Sequence, residues 1–332
     1  MQGICYRNTQ TNIPDLPSDY HVKYPYGYAY ESSTHFIHYY GLQDSFYYID
    51  NFFFVSERKA GSLTDWVKRV FGAQNINPLK NNVGEVVESV WRPGFCFWEV
   101  IPTALNIDRH EQMSSGQALR NLINKTDELL LFIEPSAQGL QSYGHKCREL
   151  LILACTEVEN QWVSLVKKSN LNQQNNKRFT TNDYVKLLSR CHFEEYQVEF
   201  KNYAGLRMFT PFLRWSMSDP TQSLSWYDAY NKTKHERAQG FQFATLENAM
   251  ESVAACIIMY CAKYGPHELL EKNNQLSGII NEHFNISLQN SNLDSHYIPE
   301  VTLPLNAGDE LNAQNIHNIN QIGAWVTKNL II

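Results

Sequence analysis

Residues 145–168 read HKCRELLILACTEVENQWVSLVKK. Leu150, Leu151, Leu153, Ala154, Val158, Trp162, Leu165 and Val166 recur at three- and four-residue steps, which makes a broad apolar face on one long helix. A second stretch, 243–264, reads FATLENAMESVAACIIMYCAKY. There Ala244, Leu246, Met250, Val253, Ala254, Ile257, Ile258 and Cys261 face inward on a helix stopped by Gly265-Pro266. Two long apolar-faced helices in one region predict a helical bundle, and around it the remaining sequence is placed.

Between the two helices lie shorter signals. Thr181-Asn182-Asp183 caps a helix over Tyr184 to Cys191. Tyr196 to Lys201 alternates and Arg207 to Trp215 is apolar, which suggests a small hairpin. Asp219-Pro220-Thr221 opens a helix from Ser223 to Arg237. Upstream, Thr34 to Val55 is dense in aromatics, from Phe36 to Phe54, and favours strands or a buried aromatic layer. Leu63 to Phe71 reads as a short helix capped by Ser62 or Thr64, and Phe95 to Ile101 as a strand ended by Pro102. Ser115 to Ile133 has helical spacing, and Pro135 with Gly139 then marks a boundary. Downstream of 265 the chain is rich in Asn and Gln. A strand-like run covers Ile298 to Leu305, and a terminal helix or strand lies within Ile316 to Leu330.

The expected fold class is therefore mainly α: a helical bundle over 141–265, a mixed α+β N-terminal region over 1–140, and a C-terminal extension over 266–332. The length of 332 residues fits one large domain or two ordinary ones. The longest nearly apolar run, Val253 to Ala262, is half of the roughly 20 residues a membrane span requires. Met1 to Asp19 lacks an apolar leader core, so no secretory signal is expected. The seven cysteines are scattered without a C-x-x-C pair, which argues against a disulfide framework or zinc ribbon and for a reducing cytoplasm. The net charge of −6 argues against a protein that coats nucleic acid. Residues 141–265 alone are basic, with 15 Lys and Arg against 12 Asp and Glu, which permits a local phosphate-binding surface there.

The segment Ser225-Trp226-Tyr227-Asp228-Ala229-Tyr230-Asn231-Lys232-Thr233-Lys234-His235-Glu236-Arg237 concentrates the candidate chemistry. Asn231 and His235 are four apart and share one helix face. An imidazole beside a carboxamide and cations suits proton transfer next to a phosphate. His235 would move the proton, Asn231 would hold the geometry, and Lys234 with Arg237 would neutralise the phosphate. Glu149, Glu157 and Glu159 lie on the 145–168 helix, and Glu157 is placed to orient His235 or to pair with Lys234. Asp108-Arg109-His110-Glu111 reads equally as a secondary site, through Arg109 and His110, and as a helix cap with its solvated first turn. His35 and His38 are three apart. With Asp44 or Asp50 they are the one combination with metal-ligand character, although aromatic packing explains them as well. No P-loop, dinucleotide fingerprint or nucleophile elbow occurs.

The register Tyr230-Asn231-Lys232-Thr233-Lys234-His235 resembles the HEPN superfamily (higher eukaryote and prokaryote nucleotide-binding domains) over about 145–265. Many members carry an Arg, then a polar residue, often Asn, then His four to six positions after the Arg. Asn231 and His235 fit that pattern, and Tyr230 stands where the Arg would be. The resemblance implies a helical domain that dimerises with its motif helices facing each other. It also implies a ribonuclease that needs neither metal nor cofactor, in which the RNA 2′-hydroxyl attacks the adjacent phosphate. His235, Asn231 and Arg237 would then be catalytic, and Lys234, Lys232 and Tyr230 would contact RNA. Many members act in toxin–antitoxin or antiviral defence systems, with a partner protein. Others lack catalysis and serve as sensors or assembly subunits, the alternative that Tyr230 favours.

Overall fold

A computed structural model describes residues 1–10, 23–46, 52–59, 61–171, 178–235, 239–304, 307–315 and 322–332. Among them the strands are β1 (Ile4–Arg7), β2 (Tyr26–Glu31), β3 (His35–Gly41), β4 (Phe52–Glu57), β5 (Gln74–Pro78), β6 (Glu85–Val87), β7 (Tyr196–Phe200), β8 (Phe284–Leu288), β9 (Asn312–Asn315) and β10 (Val326–Lys328). The longer helices are α1 (Leu63–Phe71), α2 (Arg109–Leu130), α3 (His145–Lys168), α4 (Ser225–His235), α5 (Leu246–Tyr264) and α6 (Gln275–His283).

The chain forms two compact units, each assembled from separate stretches. The first comprises Met1–Val86, Arg92–Ala104 and Asn290–Lys328. Its aromatic run, of which residues 47–51 lie outside the described ones, supplies β3 and most of β4 in an antiparallel six-stranded sheet of order β5-β1-β2-β3-β4-β9. The register pairs Tyr28 with Tyr39, Ala29 with His38 and Ile37 with Val55. Successive strand side chains point to opposite faces, yet here both faces are apolar. Tyr28, Tyr30, Ile37, Tyr39, Phe53 and Val55 pack on one side with Ile298 and Val301. Phe36, Tyr40 and Phe54 pack on the other with Trp66, Val67 and Phe71 of α1. A sheet covered on both faces needs no polar alternation, which is why its strands read as near-continuous aromatics. Gly27 is required by close approach: a Cβ there would meet the Tyr6 and His38 rings at 2.5 and 2.7 Å.

The second unit comprises Val87–Trp91, Leu105–Gln289 and Asn329–Ile332. In it α3 and α5 form the central helix pair, flanked by α2 and α4. The α5 helix is buried on nearly every side, including Ser252 and Lys263. Asp108 caps α2 by accepting from the His110 and Glu111 amides at 2.9 and 3.1 Å. β7 pairs antiparallel with β8 through Val198 and Ile286.

These observations correct the expected fold class. The protein is mixed α/β, not a mainly α bundle with a mixed appendage, because a six-stranded sheet organises the first unit. Local readings are corrected too. Phe95 to Ile101 is no strand: it leads into a 3₁₀ turn, Trp98–Val100, and a helical turn, Ile101–Ala104. Pro102, with its fixed φ and absent N–H, suits a first helical turn as well as a strand end. The predicted hairpin keeps only the Val198–Phe209 bridge, since β7 finds its partner far downstream in β8. The described part of the run from Ile298, residues 298–304, forms no strand beyond the single Val301–Ile322 bridge, and Ile298 and Val301 pack into the sheet's core, while Leu305 lies outside the described residues. No described helix is long and apolar enough to cross a membrane.

Candidate functional site

The α4 helix buries one face and shows the other to solvent, and the motif residues divide between the two. Trp226, Tyr227, Ala229, Tyr230 and Thr233 are buried. Asn231 is half-buried, while Lys232 and Lys234 are exposed. Leu224 starts the helix, its carbonyl accepting from the amides of Tyr227 (3.0 Å) and Asp228 (2.9 Å). Trp226 Nε1 donates to the Pro211 carbonyl at 3.1 Å, and Thr233 Oγ1 to that of Gly240 at 3.1 Å.

Tyr227 and Tyr230 are three apart on α4, and Glu159 and Trp162 are three apart on α3. Each pair shares a helix face, and the two faces meet. Both tyrosine hydroxyls donate to Glu159, Tyr227 to Oε1 and Tyr230 to Oε2, the latter at 3.2 Å. Lys234 Nζ donates to the Tyr230 hydroxyl at 2.9 Å and lies 5.0 Å from that ring's centroid. The result is a hydrogen-bonded chain, Lys234 to Tyr230 to Glu159, joined by Tyr227. Behind it Trp162 stacks on Trp215 at 4.9 Å and on Tyr184 at 5.3 Å.

The electrostatics follow from burial. Desolvation, then the bond to Glu159, pushes the Tyr227 hydroxyl far above its ordinary value. Desolvation also raises Tyr230, against the opposing influence of Lys234. The hydrogen bond to Tyr230 raises Lys234, whose charge also feels the neighbouring Arg178. Both phenols therefore remain protonated at neutral pH and act as donors. Tyr230 presents one neutral O–H where an Arg would present a fixed cation with five donors.

The other candidates are dispersed. Lys232 pairs with Asp228 at 2.5 Å and lies over the Phe243 ring. His235 is the last residue of α4, and its side chain, like all of Arg237, lies outside the described residues. Glu157 meets neither Lys234 nor Tyr230; it accepts from Gln161 Nε2 at 3.1 Å, and burial raises its carboxyl. The carboxylate joined to the Lys234 chain is Glu159. Arg109 bonds Gln112 at 3.1 Å and pairs with Glu268 at 3.5 Å, and His110 is exposed on the first turn of α2. His35 bonds Thr34 and the Gly308 carbonyl. His38 bonds Tyr6 and stacks on Phe71, with centroids 3.8 Å apart. Asp50 lies outside the described residues, and among those described no three His, Cys, Asp or Glu converge.

One polar cluster escaped the sequence reading. Lys263 Nζ, on α5, donates to Glu111 Oε1 at 2.5 Å and Ser164 Oγ at 2.8 Å. Its only sequence signal is a lysine closing the apolar run 253–262.

No family model, no curated protein and no solved structure matches the chain.

Proposed function

We propose that α4 belongs to a non-catalytic sensor or assembly module, akin to the HEPN domains that lack nuclease activity, in a homodimeric defence or toxin–antitoxin assembly. One observation carries this reading: the position where nuclease members have an Arg holds Tyr230, buried and bound to Glu159 and Lys234. The helix thereby directs the Tyr227 and Tyr230 hydroxyls into the protein, where they join α4 to α3 through Glu159. Asn231 and His235 have an architectural role in this scheme.

The test sets purified wild type beside His235→Ala against a labelled RNA pool with EDTA present. Neither protein should cut RNA, and His235→Ala should lower melting temperature or assembly. Cleavage by wild type that vanishes in His235→Ala, leaving 2′,3′-cyclic phosphate ends, would overturn the proposal.

That outcome would establish the second reading, a metal-independent endoribonuclease. It is favoured by the cations at the end of α4: Lys234 with Arg178 beside it, and Arg148, whose guanidinium reaches the Thr233 carbonyl at 3.4 Å. There His235 would serve as acid and base, Asn231 would position it, and Lys234 or Arg237 would meet the scissile phosphate.

A further inference from the structure

A cleft opens at the opposite end of α4, within the second unit. Its volume is about 440 Å³, in the range of small-molecule sites. Arg207, Arg214, Ser225, Trp226, Glu247 and Glu251 line it.

Its charges are unevenly partnered. Arg207 binds two carboxylates at once, Glu251 Oε2 at 2.5 Å and Glu247 Oε1 at 3.1 Å. That wall therefore carries two negative charges against one positive. Glu251 is 7% exposed, and burial raises its carboxyl in spite of Arg207. Arg207 offsets the burial of Glu251, and Gln141 Nε2 donates to Glu247 Oε2 at 3.1 Å, yet one guanidinium still serves two carboxylates. Arg214 lines the same cleft, is exposed, and has no carboxylate partner among the described residues. Leu213 and Met208, both exposed, supply apolar surface.

This pattern discriminates among ligands. A simple anion drawn to Arg214 would meet Glu247 and Glu251. A simple cation drawn to the acidic wall would meet Arg207 and Arg214. A molecule carrying both charges and a compact apolar group satisfies all three surfaces.

We propose that this cleft binds a small zwitterion of the α-amino-acid class. The ligand carboxylate pairs with Arg214 beside the Ser225 hydroxyl, the ammonium lies on the Glu247–Glu251 wall, and the side chain rests on Met208 and Leu213. The site uses none of the residues invoked for the module above, so it stands or falls independently of that reading.

Calorimetric titration of the full-length protein with L-leucine, L-methionine and L-phenylalanine tests it. At least one should bind. For that one, the N-acetyl derivative, which lacks the ammonium, and the amide, which lacks the carboxylate, should each bind about tenfold or more weakly. Arg214→Met should weaken the parent amino acid and leave the amide unaffected. Arg214 is exposed, so this variant should melt like wild type, whereas Glu251→Gln also probes the fold. Absence of binding by all three, equal binding of the derivatives, or an unchanged affinity in Arg214→Met would each overturn the proposal.

Discussion

The Lys263 side chain is wholly buried, with its ammonium held by Glu111 and Ser164. Burial is the largest influence on it and pulls it below the ordinary lysine value, despite the bond to Glu111. At Glu111 burial is also the largest single influence and acts upward. The Lys263 and Ser164 hydrogen bonds, with the charges of Lys263 and Lys168, together outweigh it and hold the carboxyl low. Removing one partner of such a pair strands the other. Lys263→Met should cost about 2–4 kcal/mol in urea unfolding, below the full buried-pair value because Glu111 keeps partial exposure. The pH dependence has a definite sign. A carboxyl held low contributes stability that is present above its unfolded pKa, about 4.3, and lost as pH falls through the lower folded value. The Glu111 contribution should therefore fade under acid, and Glu111→Gln should flatten that part of the curve. The lowered Lys263 acts at the other end, its burial penalty easing as alkaline pH removes its proton. At the α3–α4 contact, Glu159→Ala leaves two buried hydroxyls without an acceptor. It should destabilise by about 2 kcal/mol or more, exceeding Tyr230→Phe alone in parallel melts.

Helix α1 shows how far local rules carry an element. Ser62 and Asp65 form a reciprocal capping box, with Asp65 N to Ser62 Oγ at 3.1 Å and Ser62 N to Asp65 Oδ2 at 3.3 Å. Gly72 ends the helix at φ +61°, where a Cβ would lie 2.5 Å from Thr9 Oγ1. Ser62→Ala should cost about 1 kcal/mol, and Gly72→Ala should cost more than the roughly 1 kcal/mol of an unencumbered left-handed cap, both read as shifts in the denaturation midpoint. Helix α2 begins six residues before the apolar spacing becomes visible, because Asp108 and not periodicity sets its start. The α5 helix is buried nearly all round, so the inward face read from its spacing does not mark out the side that packs on α3.

The first unit is closed by chain remote in sequence. Tyr28 bonds His296 at 2.7 Å, the Tyr30 hydroxyl accepts from the Val301 amide at 2.9 Å, and β9 pairs with β4. His296, Ile298 and Val301 thus cover one face of the sheet, and β9 one edge, next to strands drawn from the first 78 residues. A chain ending at Gln289 should expose the aromatic face of Tyr28, Tyr30 and Tyr39. The expected result is strong binding of an apolar dye and loss of near-ultraviolet signal, with a residual melting transition from the helical unit.

Periodicity, caps and breakers by themselves determined helices α1, α3 and α5, the aromatic character of the N-terminal layer, and a place for Asn231 and His235 on one helix. These signals are local: they depend on side chains within a turn or two and on the chain's own stops. Tertiary structure alone decided that the aromatic layer is a six-stranded sheet covered on both faces, because strand pairing and two-sided burial leave no alternation to read. It decided that β7 pairs with β8 and not with its neighbour. It also decided that Glu159, not Glu157, holds Tyr227 and Tyr230. The two glutamates lie two residues apart and so face different sides of α3, and only the packing of α4 chooses between those sides.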